Sequence, residues 1–270
     1  MTIIQKNKVL LKILGAITLA LIIVSLFQKV EAQESFCKTP LSVGYPVNLQ
    51  PWYFTDENGK FTGLGIDLIN AVLENMGCSA EFKQQTLSRQ LLQFKFGKLD
   101  IGLDAYKTPR REESAYFSDP YLKMAIVLLV RKGESQKYPL SKLSDIINIP
   151  FKLGYLRGGA YGEEFSKLLE NPQFRRRTSP VAKISQSVKM LMKDRIQGFL
   201  GPIQTYEDLS ITMGNNVERH RGVAPLVQNT IHYMISKKRP LELVNAVNRS
   251  IKQLRANGTV RRIVTKYNKK

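Results

Sequence analysis

Cysteine and histidine are scarce in this chain, and each occurs only twice in 270 residues. A structural zinc site needs about four cysteine or histidine ligands at close spacing, so the sequence predicts no metal site, and it shows no sign of a cofactor. Acidic residues are also in deficit, with 22 Asp and Glu against 41 Lys and Arg, giving a net charge of +19. The basic residues are mostly scattered, which favours a solvated basic surface over a nucleic-acid interface.

Long apolar runs are absent except near the amino terminus. Residues 13–27 carry no charge, and three lysines precede them. Val30-Glu31-Ala32 has the small-x-small form of a cleavage site. This layout predicts a secretory signal peptide over residues 1–32 and a periplasmic location. An uncleaved membrane anchor is the alternative, but this run is shorter than a span of about 20 residues.

The rest of the chain alternates short apolar strands with amphipathic helices. In the first half the pattern predicts strand 41–45, a hairpin at Asn58-Gly59, helix 63–76, strand 80–84, helix 88–96 and strand 100–103. In the second half it predicts strands 124–131, 151–156, 174–178 and 198–200 with helices between them, then strand 230–237 and helices 241–254 and 260–267. Strands that alternate with helices across short links indicate parallel α/β sheets, so we predict two α/β domains.

The two cysteines stand at similar places in this pattern. Cys37 comes shortly before the first strand and Cys78 shortly before the second. If those strands pair in parallel, their starts are neighbours, and an exported protein can keep a disulfide. We therefore predict a Cys37–Cys78 bond, with two free thiols as the alternative.

A short stretch after the third strand has the features of an anion site. Thr108 and Pro109 are typical of a helix start, with a hydroxyl cap followed by proline in the first turn. Arg111 then falls in the first helical turn, just past the end of a strand. Open α/β sheets bind ligands at that edge, and a guanidinium there can hold a carboxylate through two parallel hydrogen bonds.

The sequence around this stretch resembles a known family. Residues 107–132 (KTPRREESAYFSDPYLKMAIVLLVRK) follow the T-x-x-R and F-S-x-P-Y pattern of the periplasmic solute-binding proteins of ABC importers, polar amino acid class. Residues 51–77 (PWYFTDENGKFTGLGIDLINAVLENMG) resemble the opening block of the same family. The likeness covers nearly the whole chain after residue 40 and is looser after residue 160.

The resemblance implies a two-lobed α/β fold of periplasmic-binding-protein type, with two doubly wound sheets joined by a hinge that the chain crosses twice. Lobe 1 would comprise residues 33–125 and 226–270, and lobe 2 residues 126–225. The implied function is capture of a small carboxylated solute, an amino acid or a related organic anion, for an inner-membrane ABC permease. The implied protein is a monomer without catalytic activity.

The resemblance also implies roles for individual residues. Arg111 occupies the position that grips the ligand carboxylate, and Thr108, which begins its helix, is also predicted to bind the ligand. Tyr106 falls where a small hydroxyl residue usually meets the ligand, and Arg157 where a basic residue often reaches it from the second lobe. Tyr161, in the turn after Arg157, would cover the site.

Two positions have open alternatives. Asp104 falls where the family often has glycine, and its carboxylate would either pair with a ligand ammonium or cap a neighbouring loop. Trp52 and the adjacent Tyr53 would form an aromatic wall of the site or belong to the core.

Three residues depart from the family pattern. Pro202 replaces the aspartate that usually holds the ligand ammonium, and Leu87 and Leu49 replace aromatic residues. An anion-binding site is therefore a safer expectation than an α-amino acid site.

Two other functions remain as hypotheses. An exported dehydratase-like enzyme on the same fold would need a general acid or base, for which Glu163, Asp104 and His232 are the candidates. An accessory sensory protein would present its ligand to a membrane receptor.

Overall fold

The computed structural model describes residues 36–46, 50–206 and 216–267. The predicted signal peptide and Leu49 lie outside these residues. No helix in the described part of the chain is both long and apolar enough to span a membrane.

The described elements alternate between strands and helices. The strands are β1 (Leu41–Tyr45), β2 (Phe54–Thr55), β3 (Phe61–Thr62), β4 (Ala80–Gln84), β5 (Ile101–Ala105), β6 (Ala115–Phe117), β7 (Leu122–Arg131), β8 (Leu153–Leu156), β9 (Thr178–Val181), β10 (Gly198–Pro202), β11 (Val217–Arg219) and β12 (Val227–Ser236). The α-helices are α1 (Leu64–Asn75), α2 (Leu87–Lys95), α3 (Pro109–Glu112), α4 (Glu163–Glu170), α5 (Pro172–Arg176), α6 (Ile184–Met192), α7 (Leu241–Ala256) and α8 (Thr259–Tyr267), and Leu143–Asn148 form a 3-10 helix.

Eight of the strands follow one continuous path in the order β4-β1-β5-β12-β7-β10-β8-β9; β6 and β11 pair with strands of this path, and β2 and β3 form a separate two-stranded sheet. β1 pairs in parallel with β4 and β5, and β8 pairs in parallel with β9 and β10. We call the part built on β1, β4, β5 and β6 the first lobe, and the part built on β8 to β11 the second lobe. The predicted mixed α/β, two-lobed architecture is confirmed.

Two long antiparallel strands join the lobes. β12 pairs with β7 from Val227↔Ile126 to Ile231↔Leu122. Beyond this ladder β12 continues into the first lobe beside β5 and β6, and β7 continues into the second lobe beside β10 and β11. The two sheets are therefore continuous through this ladder. The exact lobe boundaries at residues 125–126 and 225–226 stay a prediction, which the position of the ladder supports.

Helix α1 shows how the sequence builds the first lobe. Its apolar residues recur at helical spacing, and Leu64, Leu68, Val72 and Leu73 are buried. The helix ends shortly before Gly77, whose φ of 70° suits a residue without a side chain. The buried face of α1 packs against α7 and α8, so the carboxyl-terminal helices return to the first lobe, as the resemblance implies.

Three local predictions differ from the structure. Residues 174–178 are not a strand: Asn171 caps α5, Pro172 opens it, and the strand begins only at Thr178. Thr108 precedes α3, but its side chain makes no capping hydrogen bond. β6 was not predicted, because only three residues pair with β12 there and they lack a clear alternation.

The predicted disulfide is confirmed. Cys37 and Cys78 are bonded, with their Cα atoms 5.1 Å apart. The cause is the parallel register of β1 and β4, which places Leu41 opposite Ala80 and so brings the residues before both strands together. The bond ties the start of the described chain to the end of α1.

Replacing both cysteines with serine should lower the free energy of unfolding by about 4 kcal/mol, because the bond closes a loop of 41 residues and restricts the unfolded chain. Urea unfolding monitored by circular dichroism measures the change. The reduced native protein is the matched control and should unfold at the same urea concentration as the double variant. An unchanged unfolding midpoint in both samples would contradict a stabilising role for the bond.

Candidate functional site

A cleft lies between the two lobes beside the β7–β12 ladder. It holds about 700 Å³ of empty space, including the part open to solvent. The first lobe contributes the ends of β1 and β5 and the start of α2, and the second lobe contributes the ends of β8 and β10. Ligands of open α/β sheets bind at such carboxyl ends of strands.

Arg111 is the one cation among the described residues that line this cleft. It sits in the four-residue helix α3, directly after β5, and only 8% of its surface is exposed. Its Nη1 donates to the Tyr106 carbonyl at 2.8 Å, and its Nη2 donates across the cleft to the Gly158 carbonyl at 3.1 Å. It forms no ion pair with any described acid. Burial lowers the pKa of Arg111 to about 10, so it remains positively charged at neutral pH.

Tyr106 provides the backbone carbonyl to which Arg111 Nη1 donates. Its side chain is buried and its hydroxyl donates to the Met124 carbonyl on β7 at 3.1 Å. This bond anchors the loop between β5 and α3 to one of the strands that join the lobes. Tyr106 therefore lines the cleft, while its hydroxyl is already engaged within the protein.

Asp104 is the one acid among the described lining residues. The Tyr121 hydroxyl donates to its Oδ1, whereas its Oδ2 is buried and has no hydrogen-bond partner within the described chain. Its backbone is left-handed, with a φ of 51°, a region that glycine adopts readily and that Asp and Asn tolerate better than most side chains. Burial raises the pKa of Asp104 to about 7, and the bond from Tyr121 only partly opposes this.

Asp100, which immediately precedes β5, is a carboxylate whose charge is compensated. Arg239 donates to both of its oxygens at 2.6 and 2.9 Å, and the Ser42 hydroxyl and amide donate as well. Burial alone would raise the pKa of Asp100, but these bonds hold it below its ordinary value. Asp104 has no such cation within the part of the chain that the structure describes, so no described group compensates its charge.

The aromatic residues near Asp104 belong to both the core and the cleft. Trp52 and Tyr53 are each 1% exposed and also line the cleft. Both alternatives that the sequence left open therefore apply, because these residues belong to the core and form part of the cleft wall. Trp52 Nε1 and the Tyr53 hydroxyl have no hydrogen-bond partner in the described residues. A Cβ on Gly65 would lie 3.1 Å from Tyr53 Cζ and 3.2 Å from Asp104 Oδ2, so these two side chains meet over the first turn of α1.

The wall formed by the second lobe is apolar. Leu156, Ile184, Leu200 and Pro202 line it, and its described residues include no charged side chain. Tyr161 is buried and lines the cleft, but its hydroxyl accepts from the Leu156 amide at 2.8 Å. Pro202 takes the place at which the resemblance would put an acid, so this wall offers no charge to a ligand.

Several predicted residues lie elsewhere. The Arg157 side chain is exposed and is not among the lining residues, although its carbonyl accepts from Ser88 across the cleft at 3.2 Å. Thr108 also does not line the cleft. Of the candidate acids and bases, Glu163 is exposed and paired with Lys167, and the His232 ring is bonded to the Ser118 carbonyl and Thr230. Only Asp104 of that group lines the cleft.

Sequence reasoning missed two residues that surround Asp104. Tyr121 closes the F-S-x-P-Y motif, so the motif itself was a signal for it. Tyr233 stacks on Tyr121 with ring centroids 4.2 Å apart, and its buried hydroxyl has no partner in the described structure. Tyr233 lies on β12, far away in the sequence, and only the fold brings it to the site.

Comparison with known proteins agrees with this fold. Residues 41–270 match the family model of the bacterial extracellular solute-binding proteins, family 3. A probable histidine-binding protein of Neisseria gonorrhoeae is 27% identical over 223 residues, which cover 80% of this chain and 78% of that protein. The structure also resembles an ancestral arginine-binding protein bound to arginine, with a TM-score of 0.74 and 22% identity over 85% of this chain and 98% of that chain.

Some relatives carry the same module within a longer protein. The membrane-bound lytic murein transglycosylase F of Ectopseudomonas mendocina is 23% identical over 229 residues, which cover 80% of this chain but 43% of that protein. The similarity therefore spans less than half of a relative that is named for an enzymatic activity.

Replacing Asp104 with asparagine should stabilise the ligand-free protein at pH 8. The native pKa of about 7 lies above the unfolded value near 4, so the native state holds its proton more tightly and loses stability as pH rises from 4 to 7. The gain in the free energy of unfolding at pH 8 should approach about 4 kcal/mol and shrink toward pH 4. Urea unfolding at several pH values measures it.

Asp100→Asn is the matched control for this prediction. Because the pKa of Asp100 is lowered and its carboxylate pairs with Arg239, this variant should be less stable than the native protein at pH 8. If Asp104→Asn is destabilised at pH 8 to the same extent, the charge of Asp104 is compensated in a way that the described contacts do not include.

Proposed function

The chain belongs to family 3 of the bacterial extracellular solute-binding proteins, and from this premise we propose that it captures a small carboxylated solute in the cleft for an ABC importer. The observation that carries the proposal is Arg111, a buried guanidinium without an acidic partner among the described residues. Burying an unpaired charge costs several kcal/mol, and an incoming carboxylate supplies the missing negative charge.

The hydrogen bonds of Arg111 leave room for such a ligand. A guanidinium has five N–H donors, and the carbonyls of Tyr106 and Gly158 take up two of them. A carboxylate accepts two parallel bonds from the remaining donors. Because Tyr106 belongs to the first lobe and Gly158 to the second, the same side chain links ligand capture to the approach of the lobes.

Closure of the lobes around the solute is the second part of the proposal. Ser88 donates to the Arg157 carbonyl across the cleft, beside the bond between Arg111 and Gly158. The β7–β12 ladder is continuous across the junction, and it would bend as the lobes move. We infer that the protein acts as a periplasmic monomer that presents its closed, loaded form to the permease.

We propose binding rather than catalysis as the role of the cleft. Asp104 is the one carboxylate among the described residues that line it, and no described histidine or second carboxylate lines the cleft to act with it as an acid–base pair. Capture and release of a solute require no proton transfer. The transglycosylase relatives extend well beyond this module, so their names do not carry an activity over to this chain.

Arg111→Met should abolish the thermal stabilisation that carboxylated solutes confer. Ligand at 100 times its dissociation constant stabilises a protein by about 2.7 kcal/mol, and removing the guanidinium takes away the charge that holds the carboxylate. Differential scanning fluorimetry with a panel of amino acids and organic acids measures the shift relative to each variant's own ligand-free melting temperature.

Arg110→Met is the matched control, because Arg110 lies on the same short helix and is exposed. Its ligand-induced shifts should equal those of the native protein. The proposal fails if no carboxylated solute shifts the native protein, or if Arg111→Met keeps the full shift.

A further inference from the structure

Two opposite charges line the cleft, and neither is paired with the other. Arg111 donates to two carbonyls, and Asp104 accepts from the Tyr121 hydroxyl. No ion pair joins them in the described part of the chain. In a site of low polarity each of these charges raises the energy of the empty protein until a counter-charge arrives.

From this arrangement we infer that the solute is an amino acid with an apolar side chain, whose carboxylate binds Arg111, whose ammonium binds Asp104 and whose side chain packs against the second lobe. This inference rests on the function proposed above and adds the class of ligand. In this arrangement the ammonium is held by Asp104 in the first lobe. The acid that the resemblance would place at position 202 in the second lobe is absent, because that residue is Pro202.

The surroundings of Asp104 favour an ammonium as its partner. The Tyr121 hydroxyl donates to it, the hydroxyls of Tyr233 and Tyr106 are close enough to interact with its charge, and the Tyr53 ring lies near it over Gly65. Arg111 follows in α3. The hydroxyls of Tyr53 and Tyr233 and Asp104 Oδ2 are buried without partners in the described residues. An ammonium brings three N–H donors and a positive charge, so it satisfies the carboxylate and can also serve neighbouring oxygens.

The backbone at Asp104 adds to this argument. A left-handed residue suits glycine, which the resemblance also places there, and a carboxylate at this position must be buried as well. Both features cost stability in the ligand-free protein. Such costs concentrate at positions that act on a ligand. Pairing with an ammonium would offset the cost of the buried carboxylate.

The apolar wall of the second lobe determines which side chain the ligand can have. Leu156, Ile184, Leu200 and Pro202 present only apolar side chains, and Leu87 adds another from the first lobe. A charged or amide side chain of a ligand would lose its water here and find no described partner, which is unfavourable. An aliphatic or aromatic side chain gains from the same contacts. We therefore expect selectivity that differs from that of the relatives named for histidine and arginine.

The first test uses the native protein and matched ligands, so it needs no variant that might fail to fold. Isothermal titration calorimetry at pH 8 compares L-leucine with 4-methylpentanoate, which lacks only the ammonium, and with L-arginine, which has a charged side chain. Leucine should bind about 10- to 100-fold more tightly than 4-methylpentanoate, the range expected for a hydrogen bond to a charged group. Arginine should bind more weakly than leucine.

The second test uses pH. Binding an ammonium requires the ionised carboxylate of Asp104, so the affinity for leucine should fall about tenfold per pH unit below pH 7, while 4-methylpentanoate shows no such loss. Asp104→Asn should remove both the pH dependence and the preference for leucine. Asp119→Asn is the matched control, because Asp119 is exposed on the first lobe, and it should behave like the native protein. Circular dichroism establishes that each variant is folded.

The outcomes separate this inference from the function on which it rests. If acids bind through Arg111 but 4-methylpentanoate equals leucine, or arginine binds more tightly than leucine, the inferred ligand class is wrong and the proposed function stands. If no acid binds the native protein at all, the proposed function itself fails.

Discussion

A buried guanidinium that has no counter-charge among the described residues is the feature on which the rest of the structure depends. Arg111 stays in the cleft because carbonyl oxygens from both lobes accept its N–H groups, Tyr106 from one side and Gly158 from the other. Carbonyl dipoles stabilise the cation only in part, as its lowered pKa shows. The protein thus keeps a strong binding group positioned and unpaired, which a surface arginine surrounded by water and acids would not be.

The long ladder of β7 and β12 allows this group to serve two lobes. Each strand has ten residues and pairs with the other over only part of its length, so the remainder of each strand enters a different sheet. Tyr106 bonds to Met124 within β7, and Tyr121 immediately precedes the same strand. The residues that hold Arg111 and Asp104 are therefore anchored to the element that joins the lobes.

Much of this could be predicted because the relevant signals are local. The periodicity of α1, the Asn58-Gly59 turn and the spacing around Arg111 all act over a few residues, and the disulfide follows from one parallel pair of strands. The errors also have physical causes. A strand was predicted over residues 174–178, yet the Asn171 cap and Pro172 start a helix just before it, and the strand begins only at Thr178. The direction of the Arg157 side chain and the contact of Tyr233 with Tyr121 depend on packing between distant segments, which no local pattern encodes.

The location of both charges in the first lobe has a consequence for how a ligand is bound. With Arg111 and Asp104 on one side and only apolar residues on the other, the first lobe by itself holds the polar ends of the inferred amino acid. In the proposed complex the second lobe closes over the side chain, and burial of apolar surface, about 25 cal/mol for each Å², drives the closure. An acid at position 202 would instead tie closure to a charge pair. With Pro202 in the second lobe and Asp104 in the first, the closing lobe would recognise the side chain of the ligand and not its ammonium.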